Sequence, residues 1–204
     1  MRADSIVFAV AGMCFGILLG WVLGTQQSAG SAAAPAQAAA PADAPPGTPQ
    51  SQQPPPLDEG RVQSLTTILQ GDPKNAKAAV ELANVYFDAE RWNEAIDWYQ
   101  KAVALDPKNV DANTDLGVSY YYTNRPDQAL ERFDASLAID PKHTKTMLNK
   151  GIVLAFGKQD LDGASAEWKR VVELAPDSPE GQAARRALEG VAAAHAAQAK
   201  PATP

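Results

Sequence analysis

Cysteine is almost missing from this chain. Cys14 is the only one, so no intrachain disulfide can form, and the cysteine count carries no information about redox compartment. Histidine is nearly as scarce. His143 and His195 have no cysteine or second histidine at ligand spacing, so no metal site is expected. Basic residues are outnumbered, 18 Lys and Arg against 24 Asp and Glu, giving a net charge of −6. A chain without a basic stripe is a poor nucleic-acid binder, because the phosphate backbone supplies most of that affinity. Strand-like segments are also lacking, and with them any Gly-rich loop following a strand that could cradle a phosphate. The many Asp and Glu fall mostly at exposed helical positions and helix starts, where they solvate a face instead of pairing for acid–base work. The expectation is a chain with no catalytic residue, no cofactor and no enzymatic activity.

Positive charge is absent over one long stretch in particular: between Arg2 and Arg61 there is no Lys or Arg. Within it Ile6 to Leu23 is 18 residues without any charge. As a helix this run spans about 27 Å, close to the roughly 30 Å hydrocarbon core of a bilayer. A removable signal peptide has a shorter apolar core, about 7–15 residues, so residues 6–24 read as a transmembrane signal anchor. The Ala-rich stretch after Ser28 offers small-residue cleavage sites by composition, and a cleaved signal is the alternative. Arg2 on one flank places residues 1–5 in the cytoplasm and the rest of the chain outside it, in the periplasm if the source is bacterial. Gly12, Gly16, Gly20 and Gly24 fall on one helical stripe where a second backbone can approach, so the anchor is a candidate for self-association. The alternative is that glycine is simply common in membrane helices.

Residues 25–56 contain almost no large apolar side chain. Nothing there can offset the conformational entropy of folding, and the segment is expected to be a disordered Ala/Pro-rich linker. Residues 27–56 would reach roughly 90 Å as fully extended polyproline II. A Pro-rich ligand for another module is the rival reading.

Beyond the linker the chain is periodic. Pro73, Pro107, Pro141 and Pro176 lie 34, 34 and 35 residues apart in the contexts GDPKN, LDPKN, IDPKH and LAPDS. The internal chemistry repeats as well. Leu82, Ala83, Tyr86, Ala95, Tyr99 and Ala102 are matched one period later by Leu116, Gly117, Tyr120, Ala129, Phe133 and Ser136. The third unit has Gly151, Leu154, Ala164, Trp168 and Val171. Small residues at 95, 117, 129, 151 and 164 allow two helices of a pair to pack closely, while large ones fill the space between pairs. Asn93, Asp127 and Asp162 are expected to cap each second helix, and Asp-Pro to end one unit and begin the next.

This pattern resembles the tetratricopeptide repeat (TPR) closely over residues 76–178. The departures are Ala79, Asn113 and Met147 where a Trp is usual, Lys150 where a Leu is usual, and one extra residue placed in the GKQDLDG turn. The expected architecture is an all-α solenoid of helical hairpins. It comprises a half-repeat helix at 57–75, repeats at 76–109, 110–143 and 144–178, a capping helix at 179–192, and a flexible tail at 193–204. In the capping helix Ala184, Leu188 and Val191 form one stripe, with Arg185, Arg186 and Glu189 off it, as the polar end of a repeat stack requires.

The resemblance implies that the first helix of each unit lines a concave groove. Mapped onto this chain the groove positions are Lys77, Val80, Asn84, Phe87 and Asp88 in the first unit. The second supplies Asp111, Thr114, Val118, Tyr121 and Tyr122, and the third Lys145, Leu148, Asn149, Ile152, Ala155 and Phe156. The TPR clamp for a C-terminal carboxylate uses lysines, asparagine and arginine. Asn84 and Lys145 fit it, whereas Val80, Asp115 and Asn149 do not, so that ligand class is not expected. Phe87, Tyr121, Tyr122 and Phe156 leave an aromatic groove of the kind that anchors a partner. The implied function is a membrane-anchored scaffold binding a protein or peptide, with lipid as a second partner through residues 6–24 and no nucleic acid. The layout is similar to membrane-anchored TPR proteins of bacterial cytochrome c biogenesis, which present apocytochrome. A structural assembly factor of an envelope or secretion complex is the other alternative.

Overall fold

The computed structural model describes residues 54–198, with side chains described as far as His195. The expected anchor at 6–24, its glycine stripe, and all of the linker except Pro54, Pro55 and Pro56 lie outside the described residues. Among the described residues no helix is long and apolar enough to cross a membrane.

Among the described residues eight α-helices follow one another: α1 (Glu59–Gly71), α2 (Ala76–Asp88), α3 (Trp92–Leu105), α4 (Val110–Tyr122), α5 (Pro126–Ile139), α6 (Thr144–Ile152), α7 (Leu161–Leu174) and α8 (Pro179–Gln198). A single π-helical turn, Val153–Gly157, continues α6. Each helix packs on the next in sequence, so α2/α3, α4/α5 and α6/α7 are the three hairpins, α1 is the half unit and α8 closes the stack. First helices of successive units also touch, α4 with α6 and α6 with α8, and therefore line the inner curve. The last helix runs to Gln198, past the boundary expected at residue 192.

Polar side chains set most of the starts. Asp58, Asn75, Asn109 and Asp160 each accept a hydrogen bond from a backbone N–H three residues on, at 2.9, 3.0, 2.9 and 2.8 Å. Such a cap contributes about 1 kcal/mol. The caps expected at Asn93, Asp127 and Asp162 are corrected by this geometry, since α3, α5 and α7 begin at Trp92, Pro126 and Leu161. Those three residues sit inside the first turn, where Asp127 and Asp162 favour the positive end of the helix dipole without capping it. Asp72, Asp106 and Asp140 close the inter-unit turns by accepting from the N–H of Lys74, Lys108 and Lys142 at 3.2, 3.2 and 2.9 Å.

Within each hairpin one residue takes a left-handed conformation: Glu90 (φ 55°), Asn124 (φ 60°) and Gln159 (φ 58°). Behind it Arg91 and Arg125 donate back to the carbonyls of Tyr86 and Tyr120 at 2.8 and 2.9 Å, terminating α2 and α4. The third unit has one residue more, and the structure places it differently from the expectation. The turn keeps the same three residues. The extra one widens the end of α6 into the π turn, and Asp160 donates one residue further back, to Leu154, at 2.9 Å.

The core confirms the small–large pairing and refines it. Leu82, Ala83, Ala95, Tyr99, Ala102, Leu116, Tyr120, Ala129, Phe133, Ala164, Trp168 and Val171 are buried. Gly117 and Gly151 face large rings inside their own hairpins: a Cβ on Gly117 would lie 2.6 Å from the Phe133 ring, and one on Gly151 would strike the Trp168 indole. Phe133 and Trp168 thus fill space within a pair, in addition to space between pairs. Lys150, the departure in unit three, is compensated by ion pairs to Asp134 (2.8 Å) and Glu167 (3.0 Å). Burial alone would lower its ammonium, but hydrogen bonds to both carboxylates outweigh that and raise it. Units two and three are also joined by a buried hydroxyl triangle. Thr114 lies 2.9 Å from Ser136 and 2.6 Å from Thr146, and Ser136 lies 3.0 Å from Thr146. No buried side-chain nitrogen or oxygen among the described residues is left without a partner.

Candidate protein-binding face

On the inner helices the period of 34 brings equivalent residues side by side at four levels. Lys77, Asp111 and Lys145 form the first, Glu81, Asp115 and Asn149 the second, Asn84, Val118 and Ile152 the third, and Asp88, Tyr122 and Phe156 the fourth. Each stripe advances by about two helical turns in seven residues, so its members share one face.

The first two levels are electrostatically self-contained in the middle of the stack. Lys145 Nζ lies 2.7 Å from Asp115 Oδ1, and His143 Nε2 lies 3.4 Å from Asp111 Oδ1. Both carboxylates come from unit two, Lys145 comes from unit three, and His143 from the turn between the two. Burial raises the Asp115 carboxyl above the ordinary range, against the pull of Lys145. At the third level Asn84 accepts a hydrogen bond from the Tyr99 hydroxyl at 2.6 Å. That hydroxyl is pushed well up by burial and then by the charges of Asp115, Asp88 and Asp111, so all three carboxylates act on the floor between α2 and α4.

The fourth level is aromatic. Trp92 stacks face to face on Tyr122, with centroids 4.2 Å apart and planes 9° from parallel. Phe87 meets Trp92 edge-on at 5.0 Å and Tyr99 at 6.2 Å. Tyr121 lies 6.0 Å from Tyr122. The Tyr122 hydroxyl is pushed up to about 12 by burial, with Tyr121 and Glu90 adding to it, and burial also raises Tyr121. Asp88, at the end of α2, is raised by burial and partly relieved by the charge of Arg61.

The structure brings most of the expected groove residues to this face. Lys77, Asn84, Asp88 and Asp111 are exposed, and Val80, Phe87, Val118, Tyr121, Tyr122, Lys145, Asn149, Ile152 and Phe156 are half-buried. Three are interior. Thr114 is fully buried in the hydroxyl triangle, and Leu148 and Ala155 are buried in the core. Their side chains offer no surface; Thr114 turns inward because its hydroxyl is satisfied there by Ser136 of its own unit and Thr146 of the next. Phe87 is largely committed to Trp92 and Tyr99. Trp92 was not among the expected residues, and Asp115, placed at a clamp position by the sequence, was not expected to pair with Lys145. Periodicity could not have found Trp92, since its counterparts, Pro126 and Leu161, are not aromatic.

Residues 83–124 match a family model described as TPR repeat, and residues 114–179 match one described as tetratricopeptide repeat. Residues 83–179 belong to the tetratricopeptide-repeat family. The chain matches no curated protein. Among solved structures, the TPR fold here is similar to MamA (TM-score 0.57, 18% identity, 70% of this chain and 91% of that one). It is also similar to the Sgt2 TPR domain of Aspergillus fumigatus (TM-score 0.56, 22% identity, 63% and 86%). At those identities the likeness is one of fold. The first TPR of Spaghetti (RPAP3), solved with an HSP90 peptide SRMEEVD, matches at 29% identity and TM-score 0.55, covering 61% of this chain and 96% of that one.

Among the described residues no group of three or more His, Cys, Asp or Glu is placed to hold a metal ion. With its buried polar groups satisfied, this TPR unit presents its chemistry on its surface.

Proposed function

We propose that this chain is a scaffold that binds a protein or peptide partner along the inner face of its TPR stack. The observation that carries the reading is the half-buried aromatic group Phe87–Trp92–Tyr122–Tyr121, continued by the half-buried Val118 and Ile152 on the inner helices. Aromatic anchors flanked by polar residues are the usual hot spots of an interface. Peptide-bound TPR neighbours, such as the Spaghetti domain with its HSP90 peptide, support the mode of binding.

The test is site-specific photo-crosslinking in cells, with the reactive residue at Val118 or Ile152 on the inner face and at Arg132 or Lys101 on the outer helices. A discrete adduct from the inner positions alone is expected. Adducts from the outer positions alone would move the binding surface to the other side.

A membrane-anchored location extends this proposal. It is supported by the uncharged run Ile6–Leu23 and by Arg2 as the sole preceding basic residue. A phosphatase fused after Pro204 should be active in a bacterial host, and an inactive fusion reverses the orientation. Gly16→Leu with Gly20→Leu should abolish self-association of the anchor in a membrane two-hybrid assay. The layout leaves two classes of partner for such a scaffold: an apocytochrome tail handed to haem attachment, or a subunit of an envelope assembly. The identity of the crosslinked protein decides between them.

A further inference from the structure

His143 breaks a rule that the other inter-unit turns keep. Asn75, Asn109 and Ser178 stand at the same place before a first helix, and each accepts a hydrogen bond from the backbone N–H three residues on, at 3.0, 2.9 and 3.0 Å. His143 makes no such cap. Its Nδ1 lies 2.6 Å from the Thr146 hydroxyl, and its Nε2 lies 3.4 Å from Asp111 of unit two. The positions behind it depart as well. Thr114, Ser136 and Thr146 form the hydroxyl triangle here. One repeat earlier the same places hold Val80, Ala102 and Ala112, and one repeat later Leu148, Val171 and Gly181. Among the described residues this joint is the one built of hydroxyls, and a titratable ring touches it.

The cluster holds too few protons for a neutral ring. Thr114 and Ser136 both donate to the Val110 carbonyl, at 2.8 and 3.0 Å. Thr146 then has a single proton for two neighbours at 2.6 Å, Thr114 and the His143 ring. If Thr146 donates to Thr114, His143 Nδ1 must carry a proton and donate to Thr146. A neutral imidazole would then turn a bare Nε2 to the Asp111 carboxylate. If the neutral ring keeps its proton on Nε2, Thr146 must donate to Nδ1 and Thr114 must turn to Thr146, so the Val110 carbonyl loses a donor. Only the imidazolium, with an N–H on each nitrogen, satisfies Thr146 and Asp111 together. The charged groups around the ring are Asp111 and Asp115 on α4, Asp140 and Lys142 in its own turn, and Lys145 on α6. Asp115 is engaged by Lys145 at 2.7 Å, and Asp140 accepts from the Lys142 N–H. From α7, Arg170 reaches the Pro141 carbonyl of the same turn and pairs with Glu167. Asp111 is therefore the carboxylate left to the ring. Thr114 and Thr146 are fully buried, so Asp111, His143 and Thr146 offer no nucleophile to a substrate.

We propose that the joint between units two and three is pH-sensitive: the protonated His143 ring ties Asp111 of α4 to Thr146 of α6, and loss of its proton releases one side. The bridge exists where the imidazole is charged and Asp111 ionised, and it is lost as pH rises through the imidazole titration. This device is a property of the stack and does not depend on what the inner face binds.

The experiment is a double-mutant cycle on the full chain in detergent, with the parent, His143→Gln, Asp111→Asn and the pair. Each is unfolded in urea at about pH 5.5 and at about pH 8, on either side of the ordinary imidazole value. Titration of Asp115 is common to all four chains and cancels. At the lower pH the two changes should be coupled by about threefold in the folding equilibrium constant, the size of one partly exposed ion pair, and at the higher pH the coupling should vanish. Amide hydrogen exchange over residues 110–122 and 144–152 should be faster in Asp111→Asn than in the parent at the lower pH only. His195→Gln, in α8, should leave both readings unchanged. The Asp111 side chain is 70% exposed, so Asp111→Asn should fold as the parent does, and its exchange reads the bridge even if His143→Gln unfolds. Coupling of the same size at both pH values, or exchange in Asp111→Asn that matches the parent at the lower pH, overturns the proposal.

Discussion

Replacing Gly117 by alanine inverts the usual consequence of that change. In an open helix Ala is better than Gly by about 1 kcal/mol, because it restricts the unfolded chain. Gly117 lies in the middle of α4, and a Cβ there would fall 2.6 and 2.8 Å from two carbons of the Phe133 ring and 3.1 Å from the carbonyl oxygen of Ala129. Ordinary carbon–carbon contact is about 3.5–4.0 Å, so the ring must retreat by about 1 Å. Phe133 is fully buried and the third neighbour is backbone, so neither gives way freely. Overpacking of this kind costs about 1–3 kcal/mol and outweighs the propensity gain. The net loss should be about 1–2 kcal/mol, which lowers Tm by several degrees in a domain of this size. Gly190→Ala is the control. It is also helical, in α8, but no atom lies within 4 Å of its added Cβ, and it should gain up to about 1 kcal/mol. Urea and thermal unfolding followed by far-UV circular dichroism would measure both. Phe133→Leu should cost less in the Gly117→Ala background than alone, giving a coupling of about 0.5 kcal/mol or more. A Gly117→Ala chain that melts at or above the parent, or strictly additive effects with Phe133→Leu, would refute the packing argument.

Gln159→Gly should stabilise by up to about 1 kcal/mol in urea unfolding, because φ 58° is unfavourable for a residue with a Cβ. Thr114→Val should cost about 1–3 kcal/mol, since it removes one corner of the buried hydroxyl triangle with Ser136 and Thr146. Trp168→Ala should cost about 3–5 kcal/mol and lose the hydrogen bond to the Leu148 carbonyl, read as a large fall in Tm. Asp115, raised by burial, holds its proton in the folded chain to a higher pH than in the unfolded one. Its contribution is therefore fully present below the ordinary Asp value and is lost as pH rises through the raised one. Asp115→Asn should remove that part of the pH dependence when urea midpoints of the two chains are compared across the acid range.

The repeat was legible in the sequence because a solenoid is built from local rules. Each unit contacts mainly its neighbours, so Pro73, Pro107, Pro141 and Pro176 mark the boundaries, and the six-position pattern marks which side chains turn inward. Gly117 and Gly151 could be placed against bulky partners for the same reason. Local signals blur where two choices lie one or two residues apart. Asn93, Asp127 and Asp162 have the right chemistry for caps, yet the helices start just before them, at Trp92, Pro126 and Leu161. The additional residue of unit three could be counted in the sequence but not located. Whether a helix widens or a turn lengthens depends on which keeps Trp168 and Gly151 in contact.

The sequence by itself determined the period, the helix pairing, and the identity of the buried small and large residues, because these follow from a pattern repeated along the chain. Only the tertiary structure decided what the inner face is like. Thr114 went into the interior because Thr146 of the next unit meets it there across a unit boundary. Lys145 lost its availability because Asp115 of the preceding unit reaches it. Trp92 gained a role because Tyr122 stacks on it from 30 residues away. Each of these is a contact between units, set by the angle at which one hairpin lies on the next, and a linear pattern carries no record of that angle.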